Sequence, residues 1–203
     1  MKLLISTPLY KHQMDSRQVG SVMEAMRTLT DWQVSWDRPC DLSIAHNRNV
    51  SASFAVRGNF DFVLYWDSDI IVQPSGFILQ MEAFMRKKGT AMVMGLPVRL
   101  KTKEINWNFI LEGEKKNFQG DKLPYDPIPV CEIGAGVLLV DVDVFRKVGV
   151  PWFSTICRSN GFYDMQVEHE DKNFCEKLSI AKIPLYLYPQ VQTTHWGDYA
   201  YKV

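Results

Sequence analysis

Apolar positions along the chain switch between two periods, and the switching marks out most of its elements. Lys2 to Ser6 is strand-like and stops at Thr7-Pro8, after which Val19, Val22, Met23, Met26 and Leu29 recur at helical spacing. Gln33 to Trp36 predicts a short strand, and Asp41 is placed to cap a helix running through Ile44, Arg48 and Phe54. Phe60 to Trp66 is the next strand, and Pro74 suits the first turn of a helix carrying Phe77, Ile78, Met81, Phe84 and Met85. Strands and helices alternating in units this short predict an α/β fold. Its central sheet is expected to be mostly parallel, with helices on both faces.

The second half is less regular. Ala91 to Gly95 and Ile105 to Leu111 read as strands, while Glu112 to Pro129, rich in charge, Gly and Pro, reads as a mobile surface loop. Ile133 to Val140 is apolar with two glycines, Asp141 to Val148 predicts a short helix, Gln166 to Ala181 a longer one, and Leu185 to Tyr188 a late strand. With no repeat, low-complexity tract or linker, residues 1–203 are expected to form a single domain.

Composition narrows the partners. A hydrophobic fraction of 46% and a charged fraction of 23% are ordinary for a soluble globular protein. Zero formal net charge argues against nucleic acid or an anionic membrane as a partner. Arg86-Lys87-Lys88 and the stretch from Arg99 to Lys103 read as solvated helix-end and loop charges. Cys40, Cys131, Cys157 and Cys175 form no C-x-x-C pair, a pattern that favours reduced thiols over a disulfide frame or a zinc site. Met1 to Ser6 is too short an apolar run for a signal peptide, and no run approaches the roughly 20 apolar residues of a membrane span. A cytoplasmic protein is expected.

Chemistry concentrates in four places. Asp67-Ser68-Asp69 follows the apolar run Phe62 to Trp66; residues i and i+2 of a strand face the same way, so the two acids are expected to project together from a strand end. Converging carboxylates there suit a divalent cation, and a cation suits a phosphate partner. A rival pair, Asp141 and Asp143, is explained by helix capping. Glu168-His169-Glu170-Asp171 puts more acids before a helix than a cap requires, and a carboxylate there can take a proton from a hydroxyl. His195, in Thr193-Thr194-His195-Trp196-Gly197, is a candidate third metal ligand, and imidazole favours Mn²⁺ over Mg²⁺. Gly134-Ala135-Gly136 lacks the rest of a dinucleotide fingerprint and reads as close backbone approach to a ligand, or as a bulge. The chain has no P-loop, H-E-x-x-H or G-x-S-x-G.

In order and spacing these residues resemble the GT-A class of nucleotide-sugar glycosyltransferases, in a small form of the kind encoded by viruses and bacteria. The resemblance runs from Ser6-Thr7-Pro8-Leu9-Tyr10 through Ala45-His46-Asn47-Arg48-Asn49, Asp67-Ser68-Asp69 and Gly134 to Val140, and on to Glu170-Asp171-Lys172-Asn173-Phe174-Cys175 and His195-Trp196-Gly197. It implies a Rossmann-like GT-A domain in which residues 1–100 mainly bind the donor and 101–203 mainly carry acceptor and catalytic groups. Thr7, Pro8 and Tyr10 would then hold base and ribose, with Tyr10 stacking on a uracil, and Arg48 beside Asn49 would approach the base or diphosphate. Asp69 becomes the firmest metal ligand, with Asp67 and His195 as its partners, for Mn²⁺ or Mg²⁺. Ser68 and the glycine segment Gly134, Ala135 and Gly136 would line the donor, and Asp171 or Glu170 would be the base. The implied partners are a UDP-sugar donor and a glycan or protein-linked acceptor, in the host cytoplasm if the source is viral. Trp107, Trp152, Phe153, Tyr163 and Trp196 are candidates for sugar stacking, with core packing the stronger expectation for each. A non-catalytic nucleotide-sugar or glycan-binding module and a nucleotidyltransferase are the competing readings; the latter would want a glycine-rich basic loop that Ser6 to Lys11 does not supply.

Overall fold

The chain forms β1 (Lys2–Ser6), α1 (Ser16–Arg27), β2 (Gln33–Asp37), α2 (Ile44–Arg57), β3 (Phe62–Trp66), β4 (Ile70–Gln73), α3 (Phe77–Lys88) and β5 (Val93–Gly95). There follow β6 (Phe109–Leu111), β7 (Ile128–Ile133), β8 (Val137–Asp141), α4 (Val142–Lys147), β9 (Ile156–Ser159) and β10 (Met165–Glu168). The last elements are α5 (Glu170–Ile180), β11 (Leu185–Leu187), β12 (Gln192–Trp196) and β13 (Ala200–Lys202). These come from a computed structural model that describes residues 1–9, 14–40, 42–102, 104–159, 165–196 and 200–202.

Eight strands make one sheet in the order β2-β1-β3-β8-β5-β11-β7-β6. As expected, β1 pairs in parallel with β2 and β3, and β5 does so with β11. The insertion of β8, antiparallel to both β3 and β5, makes the sheet mixed. The two halves of the chain interlock at its centre, where β8 lies between β3 and β5. Two smaller sheets, β10-β9 and β13-β12-β4, flank it.

All five residues of β3 are buried, because helices cover both faces of the sheet. Leu4, Val63, Tyr65 and Val140 join a core completed by Ala52 and Ala55 of α2, Phe145 of α4, and Phe174 and Leu178 of α5. Their strand neighbours Leu3, Ile5, Leu64, Trp66 and Leu139 meet Val22 and Ala25 of α1 and Phe77, Ile78 and Met81 of α3. Burial at this scale is the main favourable term in folding, about 25 cal/mol per Å² of apolar surface.

Several expectations are corrected in detail. Ser43 caps α2 by accepting from the His46 amide, and Asp41 lies outside the described residues. The buried stripe of α2 is Ala45, Arg48, Ala52 and Ala55, leaving Ile44 and Phe54 on the exposed side. Pro74 is not in the first turn of α3, which begins at Phe77 with Gly76 as its N-cap. Residues 165–168 extend as β10 because they pair with β9, so the late helix begins only at Glu170. The segment after β6 is partly tied down: Phe118 stacks on Phe109 at 5.2 Å, and Trp107 Nε1 donates to the Gly120 carbonyl at 2.9 Å.

Candidate functional site

The carboxyl end of β3 is fixed by its last two side chains. Tyr65 and Trp66 point to opposite cores and pack edge-on against Phe153 and Phe77, at 5.2 and 5.4 Å, contacts worth about 0.5–1.5 kcal/mol each beyond burial. Tyr65 Oη donates to the Arg48 carbonyl at 3.0 Å, and Trp66 Nε1 to the Ile70 carbonyl at 2.8 Å. Between β3 and β4 the chain turns, with the Ile70 amide donating to the Asp67 carbonyl at 3.3 Å. Asp67 and Asp69 therefore sit in a turn rather than in a continuing strand. The expected same-face projection does not hold, and the two acids face different partners.

Asp67 faces inward. Arg48, only 2% exposed, interrupts the apolar stripe of α2 with a charge. Its Nη2 donates to Asp67 Oδ1 at 3.0 Å and to the Ala135 carbonyl at 3.2 Å, while Nη1 donates to Glu170 Oε1 at 2.5 Å. One guanidinium thus joins the β3 turn, the glycine segment and the start of α5. Burial pushes the Asp67 carboxyl up to about 6, against the opposing pull of Arg48 and with a further upward push from Asp69. Arg48 itself is held protonated by Asp67 and Glu170 despite a burial that opposes its charge.

Asp69 faces outward. Its Oδ2 receives Lys101 Nζ at 2.6 Å and lies 3.4 Å from His195 Nε2. Burial alone would raise the Asp69 carboxyl, but His195 and Lys101 outweigh it and hold it below the ordinary carboxylate range. His195 Nδ1 lies 3.0 Å from the Arg99 carbonyl, which can only accept, so Nδ1 carries a proton and Nε2 is the atom turned to Asp69. Two ligands of one ion about 2.1 Å away lie about 3.0 Å apart at adjacent octahedral positions and about 3.4 Å apart in a tetrahedron. Asp69 and His195 fit two such positions. Among the described residues no group of three His, Cys, Asp or Glu side chains is set to hold a metal ion, and Arg48 engages Asp67 Oδ1.

The late acids divide in the same way. Glu170 is buried against Arg48, whereas Asp171 opens onto a cavity of about 490 Å³ lined by Asn108, Glu132, Gly134, Glu168 and Lys172. Gly134 and Gly136 stand close against side chains of the protein itself. A Cβ on Gly134 would stand 3.3 Å from Asp171 Oδ2, and one on Gly136 only 2.7 Å from Ile70 Cδ1. The Gly136 carbonyl also accepts from the Asp67 amide at 2.8 Å. The segment Gly134-Ala135-Gly136 therefore has Asp171 at one end, Arg48 in the middle and Asp67 at the other.

Other expected contacts fall elsewhere. Asn49 is occupied away from this site: its Nδ2 donates to the Ala45 and Phe153 carbonyls, and its Oδ1 accepts from the Phe153 amide. Thr7 and Pro8 are buried, Thr7 accepting from Trp36 Nε1 at 3.0 Å beside the carboxyl ends of β1 and β2; Ser68 in the turn is partly exposed. The Ser68 carbonyl accepts from the Asp15 amide at 3.3 Å, and Arg17 lies over the Trp196 ring at 3.4 Å. Tyr10 and Tyr163 lie outside the described residues. Trp107 and Phe153 are core residues.

Three residues had no signal in the sequence. Lys101 sat in a basic stretch read as solvated. Asn108, buried, donates through Nδ2 to the Leu96 and Gly134 carbonyls and accepts from the Val98 amide. Glu132 has its carboxyl raised, chiefly by burial, with Lys172 opposing and Asp171 and Glu168 adding to it.

No family model and no curated protein matches the chain. Solved structures do. A197 from STIV superposes with a TM-score of 0.70 at 16% identity, over 98% of this chain and 87% of that one. A Bacillus anthracis protein assigned as a glucose-1-phosphate thymidylyltransferase, in complex with a sucrose, gives 0.52 at 13% identity, over 96% and 89%. A glycosyltransferase involved in the glycosylation of the major capsid of PBCV-1 gives 0.47 at 14%, over 92% and 81%. The first two share this α/β fold. Among the described residues no helix is long and apolar enough to cross a membrane.

Proposed function

We propose that the chain is a glycosyltransferase that moves a sugar from a nucleotide-diphosphate donor, UDP-linked, to a hydroxyl of a glycan or protein-linked acceptor. The observation that supports it best is the glycine segment, with the Asp67 turn at Gly136 and the Asp171 carboxylate at Gly134. A leaving-group side and an acceptor side stand there two residues apart, on the turn between β7 and β8.

Asp69 and His195 would hold Mn²⁺ or Mg²⁺, which when bound supplies positive charge to the departing diphosphate, while Asp67 stays paired with Arg48. Asp171 is the base: its carboxylate lines the open cavity and takes the proton of the acceptor hydroxyl as that oxygen attacks the anomeric carbon. Glu170 is committed to Arg48 and serves position, as does Arg48, whose fork holds the β3 turn and α5 in one register. The carboxyl ends of β1 and β2, at Thr7 and Asp37, face the crevice where open α/β sheets take nucleotides.

A thermal-shift series with nucleotide sugars, with and without Mn²⁺, tests the reading. One UDP-sugar is expected to raise Tm only when the ion is present. No shift with any nucleotide sugar under either condition would remove the donor assignment. Asp69→Asn is expected to abolish donor hydrolysis and transfer while the protein stays folded.

A further inference from the structure

The basic segment after β5 grips both ligand candidates at once. Arg99 offers its carbonyl to His195 Nδ1, and two residues later Lys101 puts its ammonium on Asp69 Oδ2. That oxygen is also the one His195 Nε2 faces. The segment is anchored rather than free: Arg99 bridges to Trp107, and the Leu100 amide donates to the Asn106 carbonyl at 2.8 Å. Lys101 itself is 38% exposed, on a flexible stem that can swing without moving its backbone.

We propose that Lys101 is a tethered cation that occupies the metal position on Asp69 until a divalent ion displaces it, so that ion and nucleotide diphosphate bind cooperatively. The proposal rests on the transferase reading for the identity of the nucleotide, but not for the competition itself. An ammonium 2.6 Å from Asp69 Oδ2 and a cation ligated by that same oxygen exclude each other, sterically and by like charge. Being covalently attached, Lys101 competes at an effective concentration no dissolved monovalent cation reaches. Once expelled, it stands beside the site where the diphosphate brings negative charge, and gains there what it lost at Asp69. Each ligand therefore favours the other, by the same factor in both directions.

The experiment is a Mn²⁺ titration, followed by electron paramagnetic resonance of the free ion, on wild type, Lys101→Met and Lys101→Met/Asp69→Asn, each with and without UDP. Lys101→Met is expected to bind Mn²⁺ alone about two- to fivefold more tightly than wild type, the range that a half-exposed ion pair can supply. UDP should tighten Mn²⁺ binding less in Lys101→Met than in wild type. Adding Asp69→Asn should erase the gain. Equal or weaker Mn²⁺ binding by Lys101→Met overturns the proposal, and so does a gain that survives Asp69→Asn. Failure of the transferase reading looks different: the Mn²⁺ results hold while no nucleotide sugar is turned over. If neither wild type nor Lys101→Met binds Mn²⁺, the competition and the metal assignment both fall.

Discussion

Each of the two acidic motifs contributes one carboxylate to a closed hub and one to an open rim. Asp67 and Glu170 share the buried Arg48. Asp69 and Asp171, one or two residues away in sequence, face the half-exposed Lys101 and the cavity beside Glu132. The hub and the rim use the same residue types, and their environments give them opposite tasks. In the hub, desolvation makes every charge costly unless it is paired, so the ion pairs are fixed and hold three segments together. On the rim, water screens the charges, so partners can be exchanged, and exchange is what binding and proton transfer require. Burial pushes Asp67 up to about 6; burial is also the largest single influence on Asp69, but His195 and Lys101 together outweigh it and hold that carboxyl low.

Removing one group at a time breaks the contrast. The largest effect is expected from Asp171→Asn, which should lower kcat by about 10²–10⁴-fold in a transfer assay while leaving the denaturation midpoint unchanged. Arg48→Met should do the reverse, costing about 3–5 kcal/mol in chemical denaturation because two inward carboxylates lose their counter-charge. Glu170→Gln, which keeps shape but removes charge from one arm of the fork, should cost about 1–3 kcal/mol and leave residual activity. An activity loss matching that of Asp171→Asn, with stability intact, would exchange their roles.

Acidity provides a smaller test. The folded state raises Asp67 from 3.8 to about 6, so it binds a proton more readily than the unfolded chain does. The stabilisation this brings is fully present below pH 3.8 and is lost as pH rises through about 6. In metal-free protein, the stability of wild type relative to Asp67→Asn should therefore fall across that window. A flat difference would show that Arg48 neutralises the charge completely. The smallest change is expected at the rim, where Lys101→Met should shift stability by less than about 1 kcal/mol.

Much of the fold was legible because periodicity reports directly on burial. The order of elements from β1 to β5 follows from it except for β4, which was not separated from the strand before it, and so does the assignment of Asp141 to a cap, where it accepts from the Asp143 amide at 2.9 Å. The errors have physical causes. Residues 165–168 carry a weak helical pattern that pairing with β9 overrides. The helix through Ile44, Arg48 and Phe54 forms as expected, but periodicity alone did not show that its inward stripe contains Arg48 while Ile44 and Phe54 are exposed.

By itself the sequence determined which residue types carry chemistry and the elements that hold them, because side-chain period and capping act over a few positions. Asp67, Asp69, Asp171, His195 and the glycine segment were all visible there. Only the tertiary structure decided which acid turns in and which turns out, since that depends on a guanidinium 19 residues from Asp67 and 122 from Glu170. The same holds for Lys101, 32 residues from the carboxylate it caps. A charge in a sequence is labelled by its sign alone. Its function is set by how much water and which opposite charge the fold leaves beside it, and both depend on contacts distant along the chain.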